Sequence, residues 1–166
     1  MYGLPLGSAA TAMHLIYWQR EIFRTSGIAN ILPLLGNVVF TGLAVWMFLR
    51  SLMRDSTEPV NLGKALFGSL LTSLMVGMCT VAGLQHVLKN ETQKIKSYEQ
   101  LTIQRQIESI NREYPEAERP AMIEKAKQYV AKQLDPMTIS VSQIQMCLST
   151  GVVIALLVFV VNSKKQ

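Results

Sequence analysis

The sequence has few of the residues from which catalytic and metal-binding sites are built. Among its 166 residues are two cysteines and two histidines, and charged residues make up only 16% of the chain. Cys79 and Cys147 both lie inside apolar segments, so neither a disulfide framework nor a cysteine metal site is expected. The sequence carries no catalytic, metal or nucleotide signature. We therefore expect no enzymatic activity, no cofactor and no bound metal.

Basic residues outnumber acidic ones, yet their distribution does not indicate a nucleic-acid-binding protein. The formal net charge is +5, but the bases are interleaved with acids and form no basic run with aromatic residues between them. Lys and Arg gather at the ends of membrane-spanning helices, so a membrane protein accounts for the charge balance better. The expected partner is the lipid bilayer, and no nucleic-acid partner is expected.

Four long segments contain no charged residue and separate the polar parts of the chain. An α-helix needs about 20 apolar residues to cross a bilayer. We therefore predict an all-α integral membrane protein in which residues 1–166 form a single four-span domain. The predicted spans are 2–18, 31–49, 65–88 and 143–162. No basic region precedes the first apolar run, so a cleaved signal peptide is not expected.

A polar insert, residues 89–138, lies between the third and fourth predicted spans and carries nine bases and eight acids. Its apolar residues recur mostly three or four apart, which predicts that the third span continues as an amphipathic helix as far as Pro115. A second helix is predicted from about Pro120 to Leu134, forming a hairpin with the first on the membrane surface. Four apolar residues of the first helix are expected to dock a partner: Tyr98, Leu101, Ile107 and Ile110.

Small residues recur every fourth position in two of the predicted spans. Gly3 and Gly7 lie on the first span, and Ser69, Ser73 and Gly77 lie on the third. Such stripes let helix backbones approach closely in lipid, where the hydrophobic effect does not drive helix association. We expect these five residues to form helix-packing faces.

Polar residues within the predicted spans are candidates for function. An ionisable residue inside a membrane is by default a functional hypothesis, but we expect His14 to be neutral and either bonded to a neighbouring helix or close to the interface. Asn37 is positioned to bond across to another helix. The alternative is that His14, Asn37, Gln85 and His86 line a minimal transporter, channel or intramembrane enzyme. No predicted span carries a carboxylate or a Lys, which ion-coupled transport generally needs.

The arrangement of these features resembles a known family. The features are the four spans, the turn 61–65 (Asn-Leu-Gly-Lys-Ala) before the third span, the long charged helical insert, and Pro136 before the fourth span. Together they resemble the small four-helix bacterial inner-membrane proteins known as domain of unknown function 4199. The resemblance implies a multi-pass protein of the bacterial inner membrane with cytoplasmic termini, and it implies no activity.

Two observations disagree about which side of the membrane the insert occupies. The total count of bases favours a cytoplasmic insert, whereas the bases nearest the second and fourth spans, Arg50 and the pair Lys164 and Lys165, favour cytoplasmic termini. Since long loops count less in this rule and the family resemblance agrees, we expect cytoplasmic termini and an insert that faces an extracytoplasmic protein.

The expected function is that of a non-enzymatic accessory or scaffold subunit of a membrane protein complex. Its small-residue faces would pack against other integral membrane subunits or a second copy of the chain, and its insert would dock a further partner. A minimal transporter or channel is the alternative. A lipid-handling role also stays open, because amphipathic helices can lie on bilayers.

Overall fold

The chain is all-α in a computed structural model that describes residues 2–25, 31–55 and 61–163. Within these residues there are six α-helices and a short 3-10 helix at Ile22–Arg24. The α-helices are α1 (Gly3–Gln19), α2 (Leu32–Asp55), α3 (Leu62–Asn90), α4 (Thr92–Glu113), α5 (Arg119–Gln133) and α6 (Pro136–Ser163). The predicted all-α class is confirmed.

Four of the helices pack into a bundle in which α3 contacts α1, α2 and α6, and α2 also contacts α1 and α6. Contacts along the seams give the directions. Gly3 and Gly7 meet successive turns of α3, so α1 and α3 are parallel, whereas Gly77 meets Ile144 and Gly151 meets Ser73, so α6 runs antiparallel to α3. Gly36 at the start of α2 meets Met13 near the end of α1, and Gly68 near the start of α3 meets Phe48 near the end of α2, so α2 is antiparallel to both. The ends of α1 and α3 and the starts of α2 and α6 therefore lie together, on the side that bears α4 and α5.

Three of the bundle helices are long and apolar enough to cross a membrane: Leu32–Asp55, Leu62–Asn90 and the segment Pro136–Val161. Their outer surfaces carry large apolar side chains, such as Phe67 (66% exposed) and Leu157 (57% exposed). Exposed apolar surfaces of this extent are typical of contact with lipid or another protein. These features indicate a membrane protein. With 17 residues, α1 is shorter than these three helices.

The helix boundaries correct one prediction about the insert. The third helix does not run on into the insert, because α3 ends at Asn90 and α4 begins at Thr92, with Glu91 (φ −112°, ψ 39°) interrupting the helix between them. The fourth bundle helix begins at Pro136 and so extends ahead of the predicted membrane span 143–162. Asp135 explains this early start, since its carboxylate accepts hydrogen bonds from the Thr138 N–H (2.8 Å) and hydroxyl (3.0 Å) and so caps α6.

The end of α4 and both ends of α5 lie close to the predicted positions. Helix α4 ends at Glu113, where Tyr114 adopts an extended conformation ahead of Pro115, as expected of a residue that precedes proline. Helix α5 carries Pro120 in its first turn and ends at Gln133. The two helices contact each other, and Ile110 and Val130 are buried.

Candidate functional site between the bundle and the insert

One residue from each of the four bundle helices meets at a buried polar junction. The Nε2 atom of His14 in α1 lies 3.1 Å from Oδ1 of Asn37 in α2, and the Asn37 amide group donates to Oε1 of Gln143 in α6. The Thr80 hydroxyl in α3 lies 3.5 Å from the same Asn37 oxygen. We call these four residues the polar junction. His14, Asn37 and Thr80 are at most 3% exposed.

The polar junction satisfies groups that would otherwise be costly to bury. An unpaired amide or imidazole in an apolar interior costs several kcal/mol, so these side chains fix one register of the four helices. The predicted interhelical bonds of His14 and Asn37 are both present. Sequence reasoning missed the contributions of Thr80 and Gln143. The signal for Gln143 was an amide at the very start of a predicted span.

The other two polar residues singled out in the sequence lie near the insert side of α3. The Gln85 amide group donates to the Pro136 carbonyl (3.1 Å) and to the Ser140 hydroxyl (3.0 Å), which joins the end of α3 to the start of α6. His86 is exposed, and its contacts are with Asn90, one turn further along the same helix. The structure therefore places neither residue in the polar junction.

A cavity of about 640 Å³ lies between the polar junction and the insert. His14 and Gln143 line it from the bundle, and Lys132 lines it from α5. Its apolar walls include Tyr17, Trp18, Leu84, Tyr98, Val130 and Ile139. At 1.5 Å rise per residue, Gln143 lies roughly 10 Å along α6 from its start, so the cavity reaches about that far into the bundle.

An aromatic cluster holds the insert against the bundle. The ring centroid of Tyr98 in α4 lies 5.3 Å from that of Trp18 and 5.4 Å from that of Phe23, both in edge-to-face geometry. Glu21 adopts a left-handed conformation (φ 48°) just after α1, and this reversal places Phe23 in the core, where it is fully buried. The Arg105 guanidinium donates to the Phe23 carbonyl at 3.3 Å. We call Trp18, Phe23, Tyr98 and Arg105 the anchor.

The four residues expected to dock a partner differ in how far they are buried by contacts within the chain. Tyr98 and Leu101 pack against the cluster that contains Trp18 and Phe23. Ile110 is buried at 8% exposure, and Ile107 is half-buried. Their role in partner docking stays a prediction, and the surface that α4 exposes to solvent is a different one.

The outer face of α4 is a polar stripe with a four-residue repeat. Its members are all exposed: Lys96, Gln100, Gln104, Glu108 and Arg112. Residues four apart lie on neighbouring turns of a helix, and each step moves about 40° around it, so this outer stripe winds gradually around α4 along its length. The stripe is polar, whereas the residues of α4 that face the anchor and α5 are apolar.

The predicted small-residue faces both lie inside the bundle. A β-carbon added at Gly7 would lie 2.9 Å from Cβ of Cys79, and one added at Gly3 would lie 2.9 Å from the Thr72 carbonyl oxygen, so these two glycines face α3. A β-carbon at Gly77 would lie 3.3 Å from Cα of Ile144 in α6.

Ser69 and Ser73 are fully buried, and they face Gly151 of α6, where an added β-carbon would overlap the Ser73 hydroxyl. Gly151 is the counterpart that sequence reasoning did not identify. The five predicted packing residues thus join the helices of one chain.

Within residues 2–25, 31–55 and 61–163, no group of three or more His, Cys, Asp or Glu side chains is arranged to hold a metal ion. No family model, curated protein or solved structure matches the chain.

Proposed function

We propose that the chain is a four-span membrane protein that serves as a non-enzymatic accessory or scaffold subunit and presents its helical insert to a partner protein. The observation that carries this proposal is the anchor. Through Trp18, Phe23 and Tyr98 the insert is held to the bundle in a fixed orientation.

The fourth span in this proposal is α1. Its residues 3–19 include no Asp, Glu, Lys or Arg, and it packs along α3 through Gly3 and Gly7. Its C-terminal end carries Tyr17 and Trp18, a pair that suits the boundary between hydrocarbon and headgroups. A helix of 17 residues reaches about 26 Å, close to the thickness of a bilayer's hydrocarbon core.

The size and order of the insert support a docking role. Two antiparallel spans can be joined by a few residues, whereas this chain uses two helices, α4 and α5, to connect α3 with α6. Ordering each residue costs about 1 to 2 kcal/mol of conformational entropy, which the contacts of the anchor and of the α4–α5 hairpin must offset. A rigid insert keeps the outer stripe in one orientation relative to the membrane.

The docking surface in this proposal is the outer stripe of α4. The small-residue faces are occupied by helices of the same chain, so other membrane subunits or a second copy would instead meet the exposed apolar surfaces of α2 and α6. The stripe combines two amides with charges of both signs, Lys96, Glu108 and Arg112. A polar surface of this kind suits a water-exposed partner.

The proposed location is the bacterial inner membrane with both termini in the cytoplasm, which rests on the family resemblance and on the bases nearest the spans. A cysteine at Gln104, in a background without Cys79 and Cys147, should react with a membrane-impermeant thiol reagent in intact cells. A cysteine at Asp55, at the opposite end of the bundle, should react only after lysis. The reverse pattern would place the insert in the cytoplasm.

Photocrosslinking tests the docking role directly. A photoreactive amino acid at Gln100 or Gln104 in the native membrane should give one discrete protein adduct, and the same amino acid at Leu157 on the outer face of α6 should give mainly lipid adducts. A double charge reversal on the stripe, Lys96→Glu with Arg112→Glu, should remove the protein adduct at Gln104. The proposal fails if the stripe positions give no discrete adduct while Leu157 does.

A minimal transporter or channel would need polar groups free to carry a substrate through the bundle. The imidazole Nε2 of His14 and both polar atoms of the Asn37 side chain are instead bonded to other side chains of the junction. This pairing supports a structural role for the junction in preference to a pathway.

A further inference from the structure

The cavity between the bundle and the insert lies at the ends of helices that are apolar enough to span a membrane. It is bounded by Pro33 and Leu34 at the start of α2 and by Thr138 and Ser142 at the start of α6. Leu34 is 49% exposed and lies on the outer face of a helix that is apolar enough to span a membrane. The lining therefore includes residues at the outer surface of the bundle, near the membrane boundary.

The lining combines three kinds of chemistry. Aromatic and aliphatic side chains, including Trp18, Leu84 and Ile139, form apolar walls, while His14 and Gln143 add polar groups on the bundle side. Among the described residues that line the cavity, Lys132 is the only one with a formal charge. Lysine at a membrane boundary places its charge at the level of the lipid headgroups.

We propose that this cavity binds an amphiphile with a single anionic headgroup, whose charge pairs with the Lys132 ammonium group and whose apolar body packs against the aromatic walls. The volume of about 640 Å³ falls within the range typical of small-molecule sites, about 300 to 1,000 Å³. An apolar wall with one positive charge favours a ligand that has one anionic end and an apolar body. The binding site does not depend on the docking role of the outer stripe.

Trp18 provides a probe inside the cavity. The chain has two tryptophans, and the second, Trp46, is 44% exposed on α2. In Trp46→Phe protein, all tryptophan fluorescence comes from Trp18. Bromine atoms quench tryptophan on contact, so brominated lipids report whether a chain reaches the cavity. The protein is reconstituted in vesicles of zwitterionic phosphatidylcholine and titrated with dibromostearate, brominated phosphatidylglycerol or brominated phosphatidylcholine at equal bromine content.

We expect saturable quenching by at least one anionic probe, and weaker quenching by phosphatidylcholine that rises in proportion to its content. The anionic probe that saturates first identifies the source of the ligand as a free fatty acid or a phospholipid. Lys132→Gln should raise the half-saturating content of that probe about fivefold. Lys127→Gln removes the same charge from an exposed position on α5 that does not line the cavity, and it should leave the titration unchanged.

A second variant tests occupancy without changing charge. Ser142→Phe places a ring in the cavity and should abolish saturation, while circular dichroism shows that the helices are retained. Equal quenching by anionic and zwitterionic probes, or an equal effect of Lys132→Gln and Lys127→Gln, would overturn the proposal.

Discussion

The Nε2 atom of His14 and the Oδ1 atom of Asn37 lie 3.1 Å apart in the interior of the bundle, although the two residues are 23 positions apart in sequence. Asn37 also donates to Gln143, so its one amide group serves partners from two helices. This relationship makes Asn37 the central member of the polar junction. It leads to the first prediction.

Asn37→Leu should destabilise the bundle by about 1 to 2 kcal/mol, because it keeps the branched shape of the side chain but leaves His14 and Gln143 unpaired. Equilibrium unfolding in detergent–lipid bicelles measures the difference. Thr80→Val is the matched control, since it removes the long 3.5 Å contact with Asn37 and a hydrogen bond to the Val76 carbonyl within α3, and it should cost less because it leaves His14 and Gln143 paired. An equal loss from both substitutions would mean that the junction does not depend on Asn37.

Two glycines of similar chemistry should respond differently to an added methyl group. A β-carbon at Gly7 would lie 2.9 Å from Cβ of Cys79 and 3.1 Å from Cα of Val76, whereas one at Gly42 would lie 3.8 Å from Ile154. Gly7→Ala should therefore cost about 1 to 3 kcal/mol through overpacking. Gly42→Ala should be neutral or stabilise by up to about 1 kcal/mol, because alanine favours helix. Thermal unfolding of the two variants checks this, and equal effects would contradict the α1–α3 seam.

The seam between α3 and α6 leads to a related expectation. Gly77→Leu should disrupt the packing of α3 on α6 while leaving membrane insertion intact, since added apolar bulk does not oppose partitioning into lipid. Limited proteolysis and membrane extraction separate the two effects. Unchanged packing would show that Gly77 faces lipid.

These glycines show how much of the fold the sequence pattern could predict. A small residue every fourth position marks a helix face but not its partner, because the spacing contains no information about which helix lies opposite. The pattern therefore identified Gly3, Gly7 and Gly77 as packing residues and could not show that they join helices of the same chain. Gly151 was missed because it is a single glycine in α6, and only the three-dimensional contact with Ser73 shows its role.

The candidate site was harder to predict than the helices. Charge-free segments and prolines define where helices begin and end, and so the end of α4 and both ends of α5 were predicted nearly in place. The cavity combines residues from six helices, and no local pattern brings Trp18, Lys132 and Gln143 together. Tyr98 was predicted to face a partner because an amphipathic face shows that a helix needs cover, and the sequence does not show that Trp18 and Phe23 provide it.

Tyr98→Ala should loosen the attachment of the insert. The side chain makes two edge-to-face aromatic contacts, each worth about 0.5 to 1.5 kcal/mol beyond its buried area. We expect amide hydrogen exchange in α4 to become about tenfold faster. Tyr129→Ala, which removes a tyrosine that is 56% exposed on α5, should leave exchange in α4 unchanged. If both variants behave alike, the anchor does not hold the insert.

The start of α6 should depend on pH through Asp135. Hydrogen bonds from the backbone N–H and the hydroxyl of Thr138 hold the pKa of the Asp135 carboxyl below its usual value. A carboxyl whose pKa is lowered by folding adds stability above its unfolded pKa, and this stability is lost as the pH falls through the folded value. Asp135→Ala should therefore be less stable than the native chain at neutral pH, and the difference should shrink in acid.

Asp135→Asn separates charge from capping. The amide oxygen can still accept the Thr138 N–H bond, so this variant should keep part of the stability and show a weaker pH dependence. Thermal unfolding of the three proteins across the acidic range provides the measurement. A constant difference between the native chain and Asp135→Ala at every pH would contradict the assignment.

The central claim is that the anchored insert, rather than the polar interior of the bundle, is what this protein presents to others. The most direct test replaces residues 91–135 with a flexible linker and measures partner recovery from gently solubilised membranes by quantitative mass spectrometry. Two double variants are compared with it in the same experiment. One combines Tyr98→Ala with Ile107→Ala, and the other combines His14→Ala with His86→Ala. We predict that the linker variant inserts normally but loses the partner, that the Tyr98 and Ile107 changes weaken its recovery, and that the histidine changes leave it intact. The claim is contradicted if the histidine changes abolish the protein's cellular function while replacement of the insert is tolerated.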